Sequence, residues 1–541
     1  MKKNILLTIA TLLLLSLSSF TLAQSFTPFQ KYIGNGQRDI AFGIETMTDT
    51  SFLVYGVIQP DNSNPADGLL LEINRRGDVL GSQFLEQGGR EGIRGAFILP
   101  RGNIMTAGNT NHNGNRTGND DFAINKVGKN GSVVTANYVG TSSGDEQMHG
   151  SILSNDYHMI SVGIDAQGAS VSGLLNKVDT AGNSLWAKTW STGPDRDGFW
   201  AVTEANQGYY VTGGTNFQSP TDINSSLCYI DQNGNLIFSK IYNDGSPSDN
   251  PASQNIRPIC KLNDTSILFA ESVSRGVNDY DILLINADSA GDVRWAKTYG
   301  GTGEEVAQFI KVAKDGNIIV GGQTTSFGNA GNADGMLFKI DHDGNIMWAH
   351  AYGGMGKDVL LNVKGFGGKA SGGYLIVGET TSFNTNSSSD IYLLGVRDDG
   401  TGFSTCFTED IPLETETRTI TVQTQGSLGN YTIFPTRTAT VQSGSLTSIT
   451  TGCEGTSSIA QTISPQTISI SPNPSTGIIR AASSEYRILG LRIYDMAGRM
   501  LHGRYLAQPA SETSIHIAEA GVYVLSIETT AGIVRKKVII Q

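Results

Sequence analysis

Residues 295–301 read "WAKTYGG", with near-copies "WAKTWS" at 186–191 and "WAHAYGG" at 348–354. Trp295 and Trp348 are 53 residues apart, while Trp186 and Trp295 are 109 apart, about twice that. A further copy belongs midway, and "FSKIYND" at 238–244 occupies the place. Each copy follows a polar turn: "DTAGN" at 179, "DQNGN" at 231, "DSAGD" at 288 and "DHDGN" at 341. Looser versions stand at 74 ("NRRGD"), 128 ("GKNGS") and 397 ("RDDGT"). Their aligned glycines, Gly77, Gly131, Gly182, Gly234, Gly291, Gly344 and Gly400, mark seven units with a period of 51–57 residues. Glycine suits that position because a bulged hairpin turn needs one residue at positive φ.

Inside a unit the order is constant. An apolar stretch such as "VAQFIKVA" (306–313) leads to "GNIIVGG" (316–322) and a Gly/Asn/Ser loop. "DGMLFKID" (334–341), the turn and the aromatic phrase follow. Four short strands without helical periodicity predict one blade of a β-propeller, whose faces need neighbours on both sides. The last unit lacks a good aromatic phrase, and the chain begins with an orphan one, "FQKYIGNG" at 29–36. The fold class expected is therefore all-β: a seven-bladed β-propeller of four-stranded blades, closed by the first strand and followed by a small antiparallel β-sandwich.

Composition agrees with short strands and tight turns: 66 of the 541 residues are Gly and only 16% are charged. The net charge of −12 speaks against nucleic acid as a partner. Lys2 and Lys3, the apolar run from Ile5 to Leu17 and Thr21-Leu22-Ala23 make residues 1–23 a signal peptide cut after Ala23. Its removal takes the charge to −14, and no later segment could span a membrane. The four cysteines form no CxxC pair and the seven histidines show no zinc spacing, so neither metal nor cofactor is expected. In an exported chain, Cys406 and Cys453 are expected to bridge the two ends of a Thr/Ser-rich linker at 406–467, after a propeller over 24–405.

From 468 to 541 the pattern changes to period-two strands, and the charge from 461 onward is +3. Pro472-Asn473-Pro474 with Gly477, "YDMAGR" ending in Gly498-Arg499, Gly521-Val522-Tyr523, and Lys536-Lys537 follow in order to the terminus. This tail resembles the type A C-terminal sorting domain of the type IX (Por) secretion system of Bacteroidota. The resemblance implies export by that machinery, removal of the tail by a sortase-like peptidase, and a secreted or outer-membrane cell-surface product.

Chemistry is harder to read. "GTSSG" at 140–144 fits a nucleophile elbow around Ser142, but in repeat register it is an inter-unit loop with no following helix. An acid precedes each first strand: Asp39, Glu91, Asp145, Asp197, Asp249, Glu305 and Asp358, spaced by 52–56 residues. A second set, Asp67, Asp121, Asp281, Asp334 and Asp390, opens the third strand in five units. The first set reads as an acidic ring around one mouth, and both sets serve either local backbone bonds or a ligand. Ligand-specific residues should break the symmetry, and Trp190, Phe199, Trp200, Tyr209 and Tyr210 cluster in unit four, where they could stack on a sugar or pack blades. The expectation is a surface module without enzymatic activity that binds glycan or protein. The alternative is an exported polysaccharide-degrading hydrolase or lyase, which needs two carboxylates, or a Tyr/His pair, in one cleft.

Overall fold

The computed structural model describes residues 26–454 and 468–541, apart from short internal stretches such as 112–119, 246–256 and 431–439. The signal peptide, Asp249, Ser142, Cys406, Gly498 and Arg499 lie outside the described residues. Every regular element described is a β-strand, and every sheet is antiparallel.

In unit one, Ile40–Thr46, Ser51–Ile58, Asp67–Asn74 and Val79–Glu86 pair in chain order. Units two to six repeat that meander, with first strands Glu91–Ile98, Asp145–Leu153, Asp197–Ala205, Ile259–Asn263 and Glu305–Val312. Unit seven has three consecutive strands, Asp358–Phe366, Gly373–Thr380 and Asp390–Arg397, and takes Phe29–Ile33 as its fourth. Phe29 lies opposite Gly395 and Ile33 opposite Ile391. Middle strands such as Ser51–Ile58 and Asp334–Ile340 are buried along their whole length, because neighbouring sheets cover both faces.

Seven apolar clusters fill the spaces between successive sheets, and one of them joins unit seven to unit one. There Phe366, Leu375, Val377 and Leu393 meet Ile44, Phe52, Leu69 and Leu71, with Phe29 and Ile33 between them. The first strands touch in the same cyclic order, Asp358–Phe366 against Ile40–Thr46 included. The aromatic phrase supplies polar links at the outer edge. Tyr242 Oη donates to Gly291 O (2.6 Å), Tyr299 Oη to Gly344 O (2.7 Å), and Tyr352 Oη to Gly400 O, each in the next unit's turn. Six of the seven aligned turn glycines have φ between +72° and +88°, as the hairpin reading requires; Gly131 is outside the described residues. Phe29–Ile33 makes the same kind of link. Lys31 Nζ bonds Asp78 Oδ1 at 2.8 Å, as Lys240 Nζ bonds Asp292 Oδ1 at 2.6 Å.

The stretch expected to be a linker behaves differently. It runs backwards around the outer edges and adds a fifth strand to six sheets. Thr408–Asp410 pairs with unit six, Glu414–Thr417 with five, Thr421–Thr424 with four and Ser427–Asn430 with three. Thr440–Ser443 then pairs with unit one, and Ile449–Glu454 with Phe29–Ile33 in unit seven. Among the described residues unit two has no fifth strand. The compact unit therefore extends to Glu454, and a second unit begins at Gly455. An outer strand exposes unpaired N–H and C=O groups, and this belt satisfies them. Ion pairs reinforce it: Arg418 of the belt holds the buried Asp244 at 2.6 Å, and Glu416 pairs with Arg275.

The C-terminal unit has a three-stranded sheet (Ile468–Ser471, Ile478–Ser483, Glu512–His516) and a four-stranded one (Ile488–Tyr494, Met500–Ala510, Gly521–Thr529, Gly532–Ile540). One cluster including Ile479, Leu491, Ile493, Leu525 and Val538 lies between them.

Candidate functional site

The first-strand acids face the backbone. Asp39 accepts from the amides of Asn35 (2.9 Å) and Gln59 (3.1 Å), and Asp197 from Thr192 N (2.7 Å) and Thr192 Oγ1 (2.8 Å). Glu305 accepts from Gly301 N (2.7 Å) and Thr324 Oγ1 (2.6 Å); Asp358 accepts from Gly354 N (2.8 Å) and Ser382 Oγ (2.5 Å). In unit three this place belongs to Glu146 and not to Asp145. Glu146 N donates to Asp120 O, just as Asp39, Glu91 and Asp358 donate to the residue before the preceding unit's third-strand Asp. The doublet Asp145-Glu146 conceals the one-residue offset in the sequence. The two acid sets meet between sheets: a Cβ added at Gly300 would collide with carboxyl oxygens of both Asp281 and Glu305, and one at Gly353 with those of Asp334 and Asp358. Such pairs superficially suit a two-carboxylate mechanism. The first-strand member of each of these pairs is bonded to a backbone amide and recurs from unit to unit, which supports a role in the fold.

Symmetry breaks three residues further along. In six units the first strand carries a β-bulge there, and the unpaired residue is Phe42, Arg94, His149, Trp200, Gln308 and Leu361 in units one, two, three, four, six and seven; the described first strand of unit five begins at Ile259 and shifts register only between Lys261 and Asn263. A bulge re-aims a side chain out of the pleat. Neighbouring units use this to bring unlike groups together. The Arg94 guanidinium sits 3.9 Å from the Phe42 ring centroid, and the His149 and Trp200 rings stack with centroids 3.9 Å apart and planes 19° from parallel. Arg38 and Arg90, each one residue before its unit's acid, add charge beside them; Arg90 Nη2 grips both oxygens of Asp120 at 3.0 and 2.9 Å.

His149 Nδ1 lies 2.8 Å from the Phe199 carbonyl oxygen. A carbonyl only accepts, so Nδ1 carries the proton and Nε2 is left as an acceptor. Burial, then the charge of Arg94, lowers the imidazole to about 3, so the ring is neutral near pH 7. Desolvation, with Arg38 and Arg90 close by, lowers the Arg94 guanidinium to about 10, although it keeps contact with solvent. Together these groups offer a neutral proton acceptor, a fixed guanidinium and two aromatic faces.

The other aromatic candidates do not join this cluster. Trp190 and Tyr209 are buried between units three and four; Trp190 stacks on Phe199 at 5.2 Å and donates to Ser239 Oγ at 3.2 Å. Phe42, Arg94 and His149 were missed by sequence reasoning. Reading the repeat column three places after each acid for changes of residue type would have found them. Of the expected disulfide, Cys406 is outside the described residues; Cys453 lies opposite Gln30 in the belt. An open groove of about 670 Å³ runs along the outer strands of units three and four, lined by Ser191, Thr192, Phe238 and Thr424 with no charged side chain. In the tail, Asn473 ties the chain end, donating to Lys537 O and accepting from Ile539 N (both 2.9 Å), and Tyr523 Oη donates to Glu519 O at 3.0 Å.

The architecture defines an all-β repeat protein whose units are antiparallel four-stranded sheets, six of them extended by a fifth strand, with a separate C-terminal β-unit. That unit matches, over residues 469–541, the family described as secretion system C-terminal sorting domain. The chain carries a type IX sorting domain and is secreted or attached at the cell surface. No curated protein matches the sequence. Solved structures similar to it include the α-L-arabinofuranosidase Arb93A of Fusarium graminearum with an iminosugar inhibitor (10% identity, 69% of this chain and 98% of that one, TM-score 0.41). The polysaccharide lyase Uly1 is another (9% identity, 69% and 99%, TM-score 0.39). Both are structures of enzymes, against the expectation of a module without enzymatic activity, and that expectation is withdrawn. No residue role is carried over from them.

Proposed function

We propose that the protein is an exported enzyme acting on glycans, with its site at the first-strand bulges of a closed seven-bladed propeller. The observation that carries this is the break in repeat symmetry: Phe42, Arg94, His149 and Trp200 occupy one column in four consecutive units, where packing alone asks for no such set. Supporting closure are the cyclic contacts of the first strands, the cluster joining units seven and one, and the pairing of Phe29–Ile33 with Asp390–Arg397. Trp200 and Phe42 supply flat apolar faces of the kind sugars stack on. His149 Nε2, its tautomer fixed by the Phe199 carbonyl, takes the proton of the attacking water, and the imidazolium so formed returns a proton to the departing glycosidic oxygen. The buried carboxyl pairs have a fold role in this reading, and a disulfide between Cys406 and Cys453 fastens the two ends of the belt. Export places the site where polymeric substrates are met.

The test is release of new chain ends from a polysaccharide panel by wild type and His149→Asn. Wild type should cleave at least one polymer, and the variant should lose at least about a hundredfold in kcat at an unchanged melting temperature. Equal turnover by the variant would remove His149 from the mechanism; no turnover of any polymer by wild type would refute the activity.

A further inference from the structure

We propose that the sugar taken at this cluster is anionic, its carboxylate or sulfate held by Arg38 and Arg94; this rests on the reading of the cluster as a glycan site. Arg94 has its guanidinium over Phe42, a contact that fixes the plane of the fork and leaves N–H donors for a ligand. Among the described residues no ion pair is formed by Arg38 or Arg94, whereas Arg90 is satisfied by Asp120. The remaining nearby carboxyls are engaged. Asp39 is turned to the amides of Asn35 and Gln59, Glu91 to Gly89 N and Thr110 Oγ1, and Asp145 to Asp120 N and Gln147 Nε2.

Three guanidiniums thus share one locality with one directly paired carboxylate, in a chain whose net charge is −12. Burial first, and then the charges of Arg38 and Arg90 against that of Asp120, lower the Arg94 guanidinium. A bound anion relieves the repulsion among these guanidiniums, and a neutral sugar does not. The negative charge elsewhere on the chain does not oppose this strongly, because screening at about 0.15 M salt confines such effects to roughly 8 Å. The neutral His149 adds no positive charge, so the arginines alone set the preference for an anion.

Calorimetric titration of the full chain with polygalacturonate and its carboxyl-reduced form, and with dextran sulfate and dextran, separates the cases. At least one acidic polymer should bind on the order of tenfold more tightly than its neutral counterpart; which pair shows the difference tells carboxylate from sulfate. Arg94→Gln and Arg38→Gln should each weaken that binding on the order of tenfold. Arg38 is exposed, so its variant keeps the test open if loss of the Arg94–Phe42 contact harms folding. Equal binding of the neutral forms, or wild-type binding by a folded Arg38 variant, would overturn the anionic preference and leave the glycan reading standing. No binding of any of the four polymers would overturn both.

Discussion

Asp39 shows how a single side chain serves the fold at a cost that pH can reveal. Its carboxyl is buried, and burial, with Asp390 beside it, raises it from 3.8 to about 7 against the pull of two backbone amides. Burial likewise raises Asp358 and Asp281 to about 6. Between their unfolded and folded values the native state binds more protons than the unfolded chain, so stability falls as pH rises through that window. His149 acts in the opposite sense, but only below its unfolded value of 6.5. The melting temperature of the protein should therefore be higher at pH 6.5 than at pH 8, with Asp39 alone contributing on the order of 1 kcal/mol. A calorimetric scan that gives a flat or rising profile over that interval would contradict the assigned burial. The acids themselves were legible in the sequence because they recur. Glu146 was not, since Asp145 next to it satisfies the same spacing and only the bulge and the Glu146–Asp120 backbone bond separate them. Arg94 and His149 were obscured for the converse reason: a residue that breaks the repeat has no periodic signal, and its partner lies on another unit.

Strands and turns were more readable than single residues. The turn glycines, the Tyr/Trp phrase and the orphan strand at 29–33 each state their role in local sequence, because hairpins join neighbours in the chain. The belt does not. "TRTITVQT" at 417–424 alternates as a single strand should, yet Thr417 pairs in unit five and Thr421–Thr424 with Leu236–Asn243, nearly two hundred residues away, and nothing local names either partner. The spacing holds a trace: successive belt strands begin at 408, 414, 421 and 427, then at 440, with unit two between. A step of six or seven extended residues covers roughly 20–23 Å, enough to pass from one outer edge to the next. Deleting 408–454 while keeping the tail should lower the melting temperature and produce concentration-dependent association, because six outer edges lose their cover. Unchanged melting and a monomeric variant in light scattering would show that the belt decorates the sheets without stabilising them.

At the scale of the whole molecule, export was the most legible feature, carried by a tail whose motifs are contiguous and ordered. In the proposed scaffold seven near-equal units stand around one axis; the belt pairs its last strand with Phe29–Ile33, the first strand described. Activity was least legible, because the same symmetry that betrays the fold averages out the residues that break it. The proposal that one bulge column forms the active site is tested most directly by a crystal structure with an oligosaccharide taken from whichever polymer the protein cleaves. The expected result is a sugar ring on Trp200 or Phe42 with an oxygen within hydrogen-bond distance of Arg94 and of His149 Nε2. A sugar seated in the groove lined by Thr192 and Phe238, with the bulge column empty, would contradict it.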